Sequence, residues 1–314
     1  MAKNKNKIVV IGAGNVGETI AYVLMIRELA NEIVLCDINE KRARGSALDI
    51  AHSTAFFEQV TVKQGGYEEC ADANIIIVAA GVGRKPGQTR LELAKVNMSI
   101  ATDVAKNIKK YADDPIIIVV SNPVDILTMA IQKETGYNPN RVIGTGTSLD
   151  TARLRYLVGR ECGVNIKDVI AYVLGEHGDS QVALWSRVRL GGVSLQGFTE
   201  QFNLDIDHDA ISKEARDSGA EIIAAKGATY NGIAMATSRI VEAIVRNENA
   251  VLAVSHLLVG KKYGSWEGIA MSVPCIINEN GIQKSVYINM DDDEKEGMDK
   301  SAQTMRDFWN SLQD

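Results

Sequence analysis

Aromatic residues make up only 5% of this 314-residue chain, and its three tryptophans, Trp185, Trp266 and Trp309, read as packing anchors rather than ligand platforms. Cysteine is equally sparse. Cys36, Cys70, Cys162 and Cys275 stand far apart, in no metal-ligand or redox spacing, and most read as reduced, partly buried thiols of a cytosolic protein. Of four histidines, His52, His208 and His256 are isolated from other ligand types, which argues against zinc chemistry, and no metal site is expected. The acidic run Asp291 to Glu294 reads as a solvated helix start. Positive charge is not in excess: the net charge is −6, so no nucleic-acid surface is expected. No apolar run reaches the roughly 20 residues that span a bilayer. The basic start Met1 to Lys7 leads into a strand rather than a signal-peptide core, so neither export nor a membrane anchor is indicated and a cytoplasmic location is expected. Repeats, low-complexity segments and the nucleophile elbow of a serine hydrolase are also missing.

What is present is a core-forming composition, 46% hydrophobic, and an ordered series of elements. Lys7 to Ile11 is a short apolar run, Glu18 to Glu28 has helical spacing, and Glu32 to Cys36 is a second run: strand, tight turn, helix, strand. Asn39 to Ser53 reads as a helix with Ala43, Ala47, Leu48 and Ile50 on its apolar side. Ile75 to Ala80 and Ile116 to Val120 are continuous apolar runs, as expected of strands buried on both faces. Between them Arg90 to Tyr111 is helical in pattern, with a break expected near its start. Further on, Asp150 to Glu161, Asp209 to Lys226, Ile233 to Asn247 and Asp291 to Leu312 read as helices. Val169 to Leu174, Val182 to Leu190, Val251 to Val259, Ala270 to Ile277 and Ile282 to Met290 read as strands, with Asn280-Gly281 a hairpin turn. The pattern predicts an α/β Rossmann dinucleotide-binding domain over residues 1–145, followed by a mixed α+β catalytic domain over 146–314, with a soft boundary near Gly144 to Thr147.

Glycines at 12, 14 and 17 form a weak motif alone and a strong one in context, because a strand precedes them, a helix follows, and Asp37 ends the next strand. Gly12 permits the tight turn, Gly14 lets a pyrophosphate approach the backbone, and Gly17 lets the helix pack on the sheet. Asn15 and Val16 open that helix, whose free N–H groups and positive end suit phosphates. Asp37 would take both adenosine ribose hydroxyls and repel a 2′-phosphate, which favours NAD over NADP.

Candidate chemistry clusters after the strand-like runs. His177, in Gly175-Glu176-His177-Gly178-Asp179, stands at a strand end where an imidazole can titrate near neutrality; the plain alternative is a surface-loop histidine. Asp150 and Arg153 are three residues apart on one helical face, which a helix cap and a surface arginine would explain equally well. Asn122-Pro123 follows a strand and is also a plausible turn. Arg84 and Arg90 put two fixed positive charges on the loop 83–96, where an α/β enzyme meets its substrate, and with Arg153 and His177 they suggest a small anionic oxo or hydroxy acid.

On these residues the chain resembles the NAD-dependent L-lactate/malate dehydrogenase family, from Lys7 to the C-terminal helix. The resemblance implies a catalytic histidine at His177 with Asp150 as its carboxylate partner, a substrate-carboxylate arginine at Arg153, and a carbonyl-polarising arginine at Arg90. It implies roles beside the nicotinamide or substrate for Asn122, Thr229 and Ile233, and closure of the 83–96 loop over the site. The segments Gly175 to Ser180, Ala183 to Ser186 and Gly227 to Thr229 look like a bacterial lactate dehydrogenase. Arg84, however, stands where those enzymes usually carry glutamine and malate dehydrogenases carry arginine. A guanidinium buried over a methyl group would lack partners, whereas a second carboxylate would supply them. The favoured expectation is therefore oxaloacetate/L-malate, with pyruvate/L-lactate as the alternative and a non-enzymatic NAD-binding sensor as the rival of another class. Thr229 pulls toward lactate. The resemblance further implies a homotetramer or homodimer. Arg155 matches one cation of a fructose 1,6-bisphosphate site while Ile170 replaces the other, so little or no activation by that sugar phosphate is expected.

Overall fold

The computed structural model describes residues 6–57, 60–83 and 87–313. Its first half is strand β1 (Lys7–Ile11), helix α1 (Asn15–Ile26), β2 (Glu32–Cys36), α2 (Glu40–Ser53), β3 (Thr61–Gln64), β4 (Ile75–Val78), α3 (Arg90–Tyr111), β5 (Ile116–Val119), α4 (Val124–Thr135) and β6 (Val142–Gly144). These six strands are parallel, in the order β6-β5-β4-β1-β2-β3. Every residue of β4 and β5 is buried, with Ile75 opposite Ile116 and Val78 opposite Val119, because helices cover both faces of the sheet. The strand order reverses between β1 and β4, the switch point at which open α/β sheets leave a crevice beyond the strand ends.

The second half comprises α5 (Ser148–Cys162), β7 (Val169–Ile170), β8 (Val173–Leu174), β9 (Val182–Ala183), β10 (Arg189–Leu190), β11 (Val193–Ser194), α6 (Leu195–Phe202), α7 (His208–Lys226), α8 (Asn231–Val245), β12 (Ala250–Leu257), β13 (Ala270–Asn278), β14 (Gly281–Ser285) and α9 (Asp292–Ser311). Strands β12, β13 and β14 are antiparallel and continue the first sheet, β12 meeting β6 where Ser255 faces Gly144, so one sheet of nine strands runs through both halves. The architecture is an N-terminal Rossmann-like α/β unit followed by a mixed α+β unit, as expected.

Several elements differ from the sequence expectation. Helix α3 has no break near its start: Thr89 caps it, accepting the Glu92 N–H while the Glu92 carboxylate accepts the Thr89 N–H, a reciprocal pairing that lets the helix run unbroken from Arg90. The expected loop 83–96 therefore ends at the helix cap, and Arg84, Lys85 and Pro86 lie outside the described residues. Leu48 is not on the apolar side of α2 but half exposed. The run Val169 to Leu174 divides between two small sheets, β7 pairing with β10 and β8 with β9. Val182 to Leu190 is interrupted by a 3₁₀ turn at Trp185–Arg187, where Glu294 accepts the Ser186 N–H at 2.8 Å and its hydroxyl at 2.7 Å. Ile282 to Met290 holds its strand only to Ser285.

The glycine turn is the tightest part of the switch point. Gly12 has φ +102, and a Cβ there would lie 2.6 Å from the Ala80 backbone nitrogen. A Cβ on Gly17 would stand 1.8 Å from the Gly12 carbonyl oxygen. Helix α1 can thus approach β1 only with glycine at 17, and it then buries Gly17, Ile20, Ala21, Leu24 and Met25 along one stripe. Since the obstructing atom belongs to the backbone, Gly17→Ala should cost at least the ~1–3 kcal/mol typical of overpacking and weaken NADH binding. Thermal denaturation and NADH fluorescence titration check this; a wild-type midpoint with wild-type affinity would contradict the packing argument.

Candidate active site

Helix α1 begins with an extended Gly14 and no side-chain cap, so its first-turn N–H groups are left free of side-chain acceptors. A Cβ on Gly14 would meet nothing within 4 Å, unlike those on Gly12 and Gly17. An open cradle therefore lies above the positive end of a helix, as a pyrophosphate requires. Gly12, Gly14, Asp37 and Val82 line the adjoining cleft. Asp37 ties the crevice together, its Oδ2 accepting the Ala13 N–H at 2.7 Å and its Oδ1 the Asn39 N–H at 2.8 Å. Asn15, the first residue of α1, accepts a hydrogen bond from Arg42 at 3.1 Å. These residues fit the adenosine and pyrophosphate parts of a dinucleotide.

The neighbouring cavity, about 330 Å³, is lined by Val16, Asn122, Asp150, Arg153, His177, Thr229 and Ile233 among others. It brings side chains from α1, the β5–α4 turn, α5, the segment after β8 and the start of α8 to one place. Asn122 precedes Pro123 through a cis peptide, and its carbonyl accepts the Asn97 side-chain N–H at 2.8 Å. His177 Nδ1 lies 2.6 Å from Asp150 Oδ2, and Asp150 Oδ1 accepts from Arg153 Nη1 at 2.9 Å. The carboxylate is 2% exposed, the imidazole 25% and the guanidinium 15%. A buried carboxylate is thus hydrogen-bonded on both oxygens, and the imidazole turns its other nitrogen away from Asp150.

The charges favour an imidazolium. Burial opposes a charged His177, but the charge and hydrogen bond of Asp150 outweigh it, with Asp125 adding, and the ring is held above the ordinary histidine value. Burial likewise works against an ionised Asp150, yet His177 and Arg153 hold it below the usual carboxylate range. The pair shares one stabilisation, and its two titrations are coupled. In contrast, buried His256 is pushed down to about 4 and stays neutral at physiological pH.

Most of the expected site residues converge here: Asn122, Asp150, Arg153, His177, Thr229 and Ile233 line the inner cavity, with Val16 beside them, and Gly12, Gly14 and Asp37 line the outer cleft. Arg90 does not reach the cavity. It is 70% exposed and paired with Asp179 at 2.6 Å on the rim. Arg84 lies outside the described residues. Three positioning groups and one lining group were missed. Asn97, 3% exposed on α3, accepts the Val82 N–H and donates to Val82 O and Asn122 O, clamping the start of the substrate loop to the Asn122 turn. Asp125 accepts the His177 N–H at 2.8 Å. Ser301 on α9 accepts the Glu176 N–H at 2.8 Å, seating the histidine segment. Arg216 of α7 lines the cavity with Gly219 and Ile223. A signal for Asn97 existed: it interrupts the helical stripe Ala94, Ala101, Val104 and Ala105 with a polar side chain. Asp125 similarly stands in an otherwise apolar helix start.

A switch-point nucleotide cleft joined to a carboxylate–imidazole–guanidinium group defines a dinucleotide-dependent oxidoreductase with its own acid–base group. The chain belongs to the lactate/malate dehydrogenase family: residues 6–144 match the lactate/malate dehydrogenase NAD binding domain and residues 147–313 the lactate/malate dehydrogenase alpha/beta C-terminal domain. It is 44% identical to L-lactate dehydrogenase 2 of Clostridium acetobutylicum, over 98% of each chain. To L-lactate dehydrogenase of Acetivibrio thermocellus it is 42% identical over 99% of each. The crystal structure of minor L-lactate dehydrogenase from Enterococcus mundtii in its ligands-bound form is similar at 41% identity with a TM-score of 0.94, covering 98% of both chains. The chain is accordingly an NAD-dependent oxidoreductase acting on 2-oxoacids and 2-hydroxyacids. Among the described residues no helix is long and apolar enough to cross a membrane, and no group of three or more His, Cys, Asp or Glu is placed to hold a metal ion.

The Asn97 clamp has a measurable consequence. Asn97→Ala removes three hydrogen bonds to Val82 and Asn122 made by a buried side chain, and a loss of ~1–3 kcal/mol is expected in urea denaturation, together with a raised KM for the 2-oxoacid. A variant with the wild-type midpoint and KM would show that the clamp contributes nothing.

Proposed function

We propose that the chain is an L-lactate dehydrogenase, reducing pyruvate with NADH and oxidising L-lactate with NAD. The observation that carries the oxidoreductase chemistry is His177 bonded to Asp150 in the cavity that Arg153 also lines. Preference for pyruvate is supported by the relatives, which are named L-lactate dehydrogenases, and by Thr229 on the cavity wall. The sequence reading put oxaloacetate and L-malate first on the strength of Arg84; the relatives favour the alternative it carried.

In this reading the nicotinamide supplies or accepts a hydride at the substrate's C2. His177 in its protonated form gives a proton to the forming alkoxide, and takes one from the hydroxyl in the reverse direction. Asp150 keeps the ring oriented and charged. Arg153 holds the C1 carboxylate, its planar fork giving two parallel contacts that a lysine would not. Arg90 leaves Asp179 as the loop closes and meets the reacting oxygen, where positive potential counts most in the transition state. Gly12, Gly14, Asn15, Val16, Gly17 and Asp37 hold the dinucleotide, with Asn122 and Ile233 beside its nicotinamide end.

We also propose that the chain works in the cytoplasm as a homotetramer or homodimer. Phe56, Tyr156, Ile170 and Met235 are each at least half exposed, side chains that a subunit contact would cover. With isoleucine at 170, fructose 1,6-bisphosphate should not activate.

The second reading, malate dehydrogenase, rests on Arg84 alone. One experiment separates the two: kcat/KM with NADH for pyruvate and for oxaloacetate, each with and without fructose 1,6-bisphosphate. A pyruvate-to-oxaloacetate ratio above one, unmoved by the sugar phosphate, is expected. A ratio far below one that Arg84→Gln raises would select malate. His177→Gln should keep NADH binding and lose ~10²–10⁴ of the rate. NADH binding by the wild type with no turnover of any 2-oxoacid would identify a sensor instead.

A further inference from the structure

His177 faces two carboxylates, and only one of them touches its ring. The other, Asp125, sits in the first turn of α4, 3% exposed, directly after the Asn122-Pro123 turn. Its Oδ2 accepts the His177 N–H at 2.8 Å, while its Oδ1 is buried without a hydrogen-bond partner. Burying a carboxylate with one oxygen unsatisfied is costly unless a nearby positive charge offsets it. The groups facing it are His177 and Glu176 of the segment after β8 and the Ser255 hydroxyl of β12, which favours the ionised carboxylate without completing a hydrogen bond to Oδ1. Among these facing groups the cation is His177 itself when protonated.

We propose that Asp125 is a positioning residue for the proton transfer: from α4 it fixes the His177 main chain, and its negative charge, buried behind the histidine, helps keep the imidazole protonated for 2-oxoacid reduction. The inference rests on the reading that His177 exchanges the substrate's proton. The facing groups have fixed signs. Asp150 and Asp125 favour the imidazolium, whereas Arg153 opposes it. Asp125 is pushed up to about 6 by burial, with Glu176 adding and His177 and Ser255 pulling the other way. Protonating His177 and ionising Asp125 consequently reinforce each other near neutral pH. Asp150 keeps the direct contact with the ring; Asp125 acts through the main chain and through space.

The test compares Asp125→Asn with the wild-type protein in the pH dependence of kcat/KM for pyruvate reduction, at saturating NADH. Asparagine keeps an oxygen for the His177 N–H and removes the charge. The alkaline limb, where the imidazolium loses its proton, should move down by at least about half a pH unit. Below pH 6, where the ring is protonated in both proteins, the two rates should converge. A purely structural role would lower kcat/KM by one factor at every pH and leave the limb in place, which would overturn the proposal. If Asp125→Asn does not fold, Ser255→Ala makes Asp125 harder to ionise and should move the limb the same way by less; an unmoved limb there would overturn the proposal equally. A wild-type protein that reduces no 2-oxoacid would overturn the reading beneath it, whereas a wild-type limb that neither variant moves would overturn this inference alone.

Discussion

The contact between His177 Nδ1 and Asp150 Oδ2 sets the requirements for the rest of the structure, because it puts a carboxylate that is 2% exposed against an imidazole that must gain and lose a proton. Such a carboxylate is costly to bury without partners on both oxygens. Arg153 supplies the second, from one turn further along α5. The imidazole in turn must be held at a fixed height, and for that the segment after β8 is fastened on two sides: Ser301 of α9 takes the Glu176 N–H and Asp125 of α4 takes that of His177. Gly175 and Ser272 exchange backbone hydrogen bonds at 3.0 and 2.8 Å, which fixes the same segment to β13. Elements distant in sequence thus converge on the segment that carries one imidazole, and the continuous nine-stranded sheet supplies the frame on which they meet.

The nucleotide side depends on a different constraint, the closeness of backbones. Gly12 and Gly17 are required by contacts under 3 Å that any Cβ would make, whereas Gly14 is surrounded by open space. The three glycines of one motif therefore do two kinds of work, two allowing the helix to pack and one leaving room for a ligand. The loop arginine is governed by a weaker force. Arg90 and Asp179 are both about 70% exposed, and exposed pairs of this kind contribute ~0–1 kcal/mol. Exchanging Asp179 for a bound anion therefore costs little, so the rim contact is compatible with a loop that yields to substrate.

Much of this was legible in the residues. The apolar runs at Ile75 and Ile116, the glycine turn and Asp37 identified the sheet and its switch point, because strands buried on both faces and helix-to-strand packing impose local patterns. Asp150, Arg153 and His177 were found by their position after strands and by family resemblance; periodicity alone would have left each with an ordinary alternative. Asn97, Asp125 and Ser301 were not found, since each acts through a partner between 15 and 125 residues away. The expected break in α3 is absent for a local reason, the Thr89–Glu92 cap that starts the helix cleanly at Arg90. Arg90, expected over the substrate once the loop closes, pairs with Asp179 on the rim here, since a loop's position depends on what is bound beneath it. Arg84 carried the greatest weight in choosing a substrate from sequence, and the relatives point the other way.

The central claim is that Asp150 makes His177 a stronger base than a free histidine, so that it carries a proton at the pH of the reaction. The most direct measurement is an NMR titration of the His177 ring in the NAD-bound protein, beside the Asp150→Asn variant. The account predicts a wild-type midpoint above the ordinary ~6.5 of histidine and a clear downward move in the variant. A wild-type midpoint at or below that value, or one that Asp150→Asn leaves in place, would contradict it.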